Sequence, residues 1–183
     1  ADTLDKVDLD ILAKDTAIYV LTTLRLTNSP FLPIRLTGLA RAFLKEAESL
    51  QAKAGSLFDL GPVSELAKKF ADRAQAVDHM LASGKAEGEP RVLNRQLLAT
   101  IHGAIPVLYT AAGPFHHDPA SSVPALPGLA GAGRLPELDP ESDQFGFLYT
   151  YLMREVNRAT NALKVAIGRC EAILGLERHP STS

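Results

Sequence analysis

The residues best suited to chemistry in this sequence are His116, His117 and Asp118, which stand side by side between Pro114 and Pro140. Histidine and aspartate are common zinc ligands, but adjacent residues project in different directions and seldom bind one ion together. No His-Glu-x-x-His pattern stands elsewhere in the chain. A metal-dependent hydrolase built on these residues is therefore the alternative hypothesis. The favoured interpretation is a surface or interface role for two histidines that would gain charge below about pH 6.5.

Three other features invite a catalytic interpretation, and each has a simpler structural one. Cys170 falls on an apolar helical stripe, which predicts a small core residue. The segment Gly128–Gly133 (GLAGAG) lacks the Lys-Ser/Thr ending of a phosphate loop. The acidic run Glu137–Asp143 (ELDPESD) is better explained by helix capping than by a hydrolytic carboxylate pair. We therefore expect no catalytic, cofactor-binding or metal-binding residue in this chain, and a helical association module in place of an enzyme.

Composition narrows the class of partner. The chain has 183 residues, enough for one domain with its own core. Its 19 basic and 21 acidic residues give a net charge of -2, and aromatic residues make up only 6% with no Trp, so we expect no nucleic-acid binding. The most apolar stretch, Ala17–Leu26, is shorter than the roughly 20 residues of a membrane helix and contains Arg25. We expect no direct membrane insertion by this domain.

The elements that would position these residues are helices, because apolar residues recur every three or four positions along nearly the whole chain. The fold class is therefore predicted to be all-α. The predicted helices run over Asp8–Leu26 and Leu36–Ala54, then from Pro62, from Pro90, and from the capping sequence Asp139-Pro140-Glu141 to Gly175. The first is apolar on most sides, which predicts burial on most sides.

A long connection precedes the last helix. The stretch from Pro106 to Pro140 holds seven of the 12 prolines in the chain. A compact domain rarely carries about 35 residues without regular structure unless they are functional or disordered. This stretch also contains apolar residues such as Leu108, Val123 and Leu135. Its apolar content predicts a long ordered loop over 106–140 that packs on something.

The order of several segments carries a resemblance to a known family. The first segments are LAKDTAIYVLTTLRLTNSPFLPIRL, LTGLARAFLKEAESLQ and FDLGPVSELAKKFADRAQAVD; the later ones are LNRQLLATIHGAI, PALPGLAGA and FGFLYTYLMREVNRATNALKVAIGRCEAIL. Together they span about Asp8 to Leu174. In order and spacing they resemble the helices and the long loop of the transferrin receptor-like dimerisation domain, found at the C-terminus of glutamate carboxypeptidase II-like peptidases and of transferrin receptors.

The resemblance implies a fold and a setting. It implies a four-helix up-and-down bundle, with a long Pro/Gly-rich loop before the last helix, that joins two protomers. The chain would be one helical dimerisation domain over 1–183, the C-terminal fragment of a larger zinc metallopeptidase whose separate peptidase domain holds the zinc ions. Its expected partners are a second copy and that peptidase domain. The expected location is the lumenal, vacuolar or extracellular side of a single-pass membrane protein.

The long loop sets the limits of the resemblance. In carboxypeptidase members Lys and Tyr side chains of this loop contact the terminal glutamate of the substrate, whereas HHDPASSVPALPG has neither. The resemblance therefore assigns no substrate-contact residue here. The interface and loop candidates are Tyr109, Phe115, His116, His117, Leu126, Pro127, Leu129, Tyr149 and Tyr151. A helical adaptor for an unrelated protein partner is the second alternative.

Overall fold

The computed structural model of the chain describes residues 8–84, 86, 88–110 and 124–176. Over these residues the fold is all-α, as the sequence predicts, with no strand. The α-helices are α1 (Leu9–Asn28), α2 (Leu36–Ala54), α3 (Gly61–Ala82), α4 (Pro90–Tyr109) and α5 (Asp143–Ile173), and a 3-10 helix spans Pro127–Glu137. The chain divides into two compact units, Ala1–Ile34 and Arg35–Ser183.

The first unit contains α1. The Asp8 carboxylate caps this helix by accepting from the backbone N–H groups of Asp10 at 2.9 Å and Ile11 at 3.2 Å, as predicted for an N-terminal Asp. None of the 20 residues of α1 is buried. The expectation that α1 is buried on most of its sides is therefore wrong for this chain. Within its own unit, the described residues include no second helix on which α1 could bury its apolar residues.

The second unit contains the core. Helix α3 packs against α2 and α5, α4 packs against α5, and the 3-10 helix packs against α2 and α5. The predicted apolar stripes face inward: Phe43 of α2, Phe70 of α3, Leu97 of α4 and Leu163 of α5 have no exposed surface. Each buried side chain of this size contributes about 1.5–3 kcal/mol to the free energy of unfolding. The 3.6-residue period of the sequence thus accounts for most of this core.

The start of α2 depends on a residue far away in the sequence. Its N-cap residue is Arg35, whose side chain has no acceptor atom. Asp78 of α3 supplies the acceptors, taking hydrogen bonds from the backbone N–H groups of Leu36 at 3.0 Å and Thr37 at 3.1 Å. Asp78 is itself buried. The capping carboxylate therefore also ties α3 to α2.

The turn between α2 and α3 is held by one amide side chain. The Nε2 of Gln51 donates to the carbonyls of Gly55 at 2.8 Å and Phe58 at 3.0 Å. Its Oε1 accepts from the backbone N–H of Leu60 at 2.6 Å. These bonds satisfy backbone groups at both helix ends, which would otherwise need water or another cap.

The long connection contains more helix than the sequence predicts. Helix α4 continues through Pro106 to Tyr109, and the N–H of Thr110 donates to the Pro106 carbonyl at 3.0 Å. A proline inside a helix removes one hydrogen bond, yet α4 continues past Pro106 while packed against α5. The 3-10 helix covers a further part of the stretch, and residues 111–123 lie outside the described residues.

The last helix begins later than predicted. Its N-cap is Ser142, whose Oγ accepts from the backbone N–H of Phe145 at 3.2 Å. The predicted cap, Asp139, instead closes a turn in which its carbonyl accepts from the N–H of Ser142 at 2.9 Å. The prediction failed because Asp and Ser are equally good caps, and only the turn decides between them. Helix α5 has 31 residues, a length of about 47 Å.

Candidate interaction surface

One side of α4 is exposed along the whole helix. It carries Arg91, Arg95, Leu98, His102, Ile105 and Tyr109, all exposed. We call these six residues the α4 stripe. Its three apolar members, Leu98, Ile105 and Tyr109, are 39%, 40% and 45% exposed. Residues spaced alternately by four and three lie on one side of a helix. Of these six residues, the sequence predicts only Tyr109 as an interface candidate.

Helix α5 fixes the neighbouring side of α4. The Arg169 guanidinium donates through Nη1 to the carbonyl of Ala99. Gly103, one turn further along α4, makes room for it, because a Cβ there would lie 3.1 Å from the same nitrogen. The close approach of a long cation to the helix backbone holds α4 against α5. The α4 stripe lies away from this contact and remains exposed.

The C-terminal end of α4 is held by a second arginine. The Nη2 of Arg158 donates to the Pro106 carbonyl at 3.1 Å and to Oγ1 of Thr110 at 3.3 Å. Its Nη1 donates to Oε2 of Glu155 at 3.1 Å. Cations at a helix C-terminus are favourable because the last carbonyls carry partial negative charge. The side chains of Arg158 and Glu155 are only 23% and 16% exposed, so this pair is well shielded.

The 3-10 helix is anchored beside this pair. Leu126, which precedes it, is buried in the left-handed region at φ 50° and ψ 50°. Its N–H donates to the Leu108 carbonyl at 2.7 Å. The left-handed conformation is unfavourable for leucine and persists only where its surroundings fix it. At Gly128 a Cβ would collide with the Glu155 carboxylate, so glycine is required at this close approach.

A groove lies on the surface where α4 meets α5, beside the α4 stripe. It has a volume of about 340 Å³. Its apolar lining includes Val107, Ala162 and Val165, and its polar lining includes His102, Arg158 and Asn161. His102 belongs to both the groove and the α4 stripe. The exposed surface of α4 therefore combines apolar area with basic side chains.

The predicted interface candidates fall in different environments. Leu126 and Leu129 are buried in their own unit and Pro127 is half-buried, whereas Tyr109 lies on the α4 stripe. Phe115, His116 and His117, together with Asp118, lie outside the described residues, so the hydrolase hypothesis stays a prediction. Leu126 and Leu129 thus contribute to the core, whereas Tyr109 shares the α4 stripe with the exposed apolar residues Leu98 and Ile105.

The two remaining candidates lie near the start of α5. The ring of Tyr149 meets Phe58 edge-on at 5.2 Å and stacks with Phe145 at 6.0 Å between centroids. Tyr151 is 43% exposed. The pKa of its hydroxyl is raised by partial burial and by the Glu155 charge, against the opposing effect of Arg158. Tyr151 therefore remains neutral at physiological pH, and both tyrosines offer exposed aromatic surface.

Cys170 is a core residue, as the sequence predicts, with no exposed surface. Burial, and then the charges of Asp78 and Glu171, raise the pKa of its thiol from 9.0 to about 12. The thiolate is the reactive form. Cys170 is therefore an inert packing residue at neutral pH.

Three findings bear on the function class. Among the described residues, no group of three His, Cys, Asp or Glu side chains is placed to hold a metal ion. No helix within those residues has the length and apolarity needed to cross a membrane. Comparisons with protein-family models, curated proteins and solved structures give no match. The candidate function therefore rests on the geometry of the exposed surfaces and on the resemblance of segment order.

Proposed function

We propose that this chain is a homodimerisation domain, the C-terminal helical part of a glutamate carboxypeptidase-like zinc peptidase homologue. The observation that carries the proposal is α1, a 20-residue helix with none of its residues buried. Nine of its large apolar side chains are at least 45% exposed. Monomeric proteins rarely leave contiguous apolar surface of this extent uncovered. A second copy would remove it from water.

The finer parts of the proposal rest on the order of the sequence segments. Helices α2 to α5 would form a four-helix up-and-down bundle. The peptidase domain of the parent, with its zinc ions, would be a second partner. The reading frame upstream of Ala1 tests this parent, because we expect it to encode two segments with zinc ligands. A frame that encodes an unrelated domain would contradict the peptidase parent and leave the dimerisation proposal standing.

The test of dimerisation is the mass of the full chain in solution. Sedimentation equilibrium over a wide range of protein concentration is expected to give a mass near twice the 19.6 kDa of one chain, with reversible dissociation on dilution. A chain that stays strictly monomeric at the highest concentration would contradict the proposal. That result would favour the alternative of a helical adaptor, whose exposed helix is covered by a different protein.

A further inference from the structure

Helix α1 is exposed on every side, and the side that carries two of its aspartates has the spacing of the α4 stripe. On α1 and its cap, Asp8, Leu12, Asp15, Tyr19, Thr22 and Leu26 are separated by four, three, four, three and four residues. We call these six residues the α1 stripe; all are exposed. The α4 stripe has the same separations over the same number of residues. Alternating steps of three and four are the spacing with which two helices interlock side by side.

The charges of the two stripes are complementary. The α1 stripe carries Asp8 and Asp15 and no basic residue. The α4 stripe carries Arg91 and Arg95, with His102, and no acidic residue. In both stripes the charges lie in the N-terminal half. A parallel alignment would therefore place Asp8 level with Arg91 and Asp15 within one helical turn of Arg95. An antiparallel alignment would place Asp8 level with Tyr109 and Arg91 level with Leu26.

In the same alignment, the C-terminal halves of the two stripes, which contain most of their apolar residues, also lie side by side. In the parallel alignment Tyr19 and Leu26 of α1 lie level with His102 and Tyr109 of α4. Tyr19 and Leu26 are 73% and 45% exposed, so each has surface to bury. Complementary charges set the register and suppress the wrong alignment, while burial of the apolar residues supplies most of the affinity.

We infer that the α1 stripe of one copy docks in parallel on the α4 stripe of a second copy, and that the second copy returns the same contact. This inference rests on the proposed homodimer and specifies its interface. In a two-fold dimer a contact from one patch to another occurs twice. A helix face about 30 Å long and about 10 Å wide covers about 300 Å². Two pairs, with four faces, cover about 1,200 Å², the lower limit for a specific dimer.

Paired variants of α1 test its role in the dimer. Leu12→Glu/Tyr19→Glu puts two charges on the α1 stripe, and Leu9→Glu/Val20→Glu puts two on another side of the helix. The exposures match, at 51% and 73% against 71% and 50%, so neither pair should unfold the chain. In sedimentation equilibrium the stripe pair is expected to raise the dimer dissociation constant at least about tenfold. The control pair should change it less than about threefold. Equal effects would overturn the inference.

Charge exchange tests α4 as the second half of the contact. Arg91→Glu/Arg95→Glu is expected to weaken the dimer, because the new acids would then lie level with Asp8 and within one helical turn of Asp15. Adding Asp15→Lys to the same chain should restore part of the lost affinity. A dimer that tolerates the arginine changes, or that Asp15→Lys weakens further, would overturn the inference. Either result would leave the proposed homodimer standing. A wild-type chain that is monomeric would contradict both the homodimer and this interface.

Cross-linking shows whether the contact joins two chains. One chain carries Leu26→Cys and another carries Tyr109→Cys, and the two are mixed under oxidising conditions. Cys170 is buried and should not compete. A disulfide-linked heterodimer in the mixture, well above the homodimers of either chain alone, is the expected result. A disulfide that forms only within a single chain carrying both cysteines would overturn the inference.

Discussion

Helices α1 and α2 differ both in how their N-termini are capped and in how many of their residues are buried. Helix α1 caps itself with Asp8 and buries none of its residues. Helix α2 has Arg35 at its cap position, takes its capping carboxylate from α3, and buries six residues, among them Leu36 and Phe43. The polar groups of α1 are satisfied locally, but its apolar groups are not. The difference shows that an apolar composition predicts a helix and does not predict whether the rest of its own chain buries it.

The largest expected effect contrasts a core side chain with one from α1. Phe70→Ala removes a fully buried ring of α3 and should lower the free energy of unfolding by about 3–5 kcal/mol. Leu21→Ala in α1, where the side chain is 53% exposed, should change it by less than about 0.5 kcal/mol. Urea denaturation of dilute protein, followed by circular dichroism, measures both. A large loss with Leu21→Ala would show that α1 is buried within a single chain.

Loss of the capping carboxylate that α3 supplies to α2 should give the next largest effect. Asp78→Ala leaves the N–H groups of Leu36 and Thr37 without their acceptors, at a cost of about 2–3 kcal/mol for a buried charged hydrogen-bond partner. Asp72→Ala, at an exposed position of α3, is the matched control and should be nearly neutral. Thermal melts of the two variants compare them. Equal melting temperatures would mean that water caps α2 as well as Asp78 does.

These two residues also mark the division between what the sequence predicts and what it does not. Phe70 could be assigned to the core because helical periodicity is a local property. Asp78 could not be identified as a cap, because its partners lie more than 40 residues away and come together only through packing of α2 on α3. The α4 stripe was missed for a different reason. The spacing of its residues is visible in the sequence, but their exposure depends on which sides of α4 the other elements cover.

The buried thiol of the second unit gives a pH-dependent change in stability, smaller than that of Asp78→Ala up to about pH 10. The unfolded thiol loses its proton near pH 9.0, whereas in the folded chain the raised pKa of about 12 retains it. The unfolded state therefore binds fewer protons above pH 9.0, and stability falls as pH rises toward 12. The slope for this one group is about 1.4 kcal/mol per pH unit. Denaturation curves of wild type and Cys170→Ala at increasing pH should converge; parallel curves would contradict this.

The smallest expected effect concerns backbone propensity. Within the described residues, no atom outside its local helix lies within 4 Å of a Cβ added at Gly146 of α5. Gly146→Ala should therefore stabilise the cooperative unfolding transition by about 0.5–1 kcal/mol. The reverse change in α1, Ala17→Gly, should reduce helix content by circular dichroism without moving that transition in dilute protein. If Ala17→Gly moves the transition only at concentrations where the dimer forms, the folding of α1 is coupled to association, since the helix is then stabilised by its partner and not by its own chain.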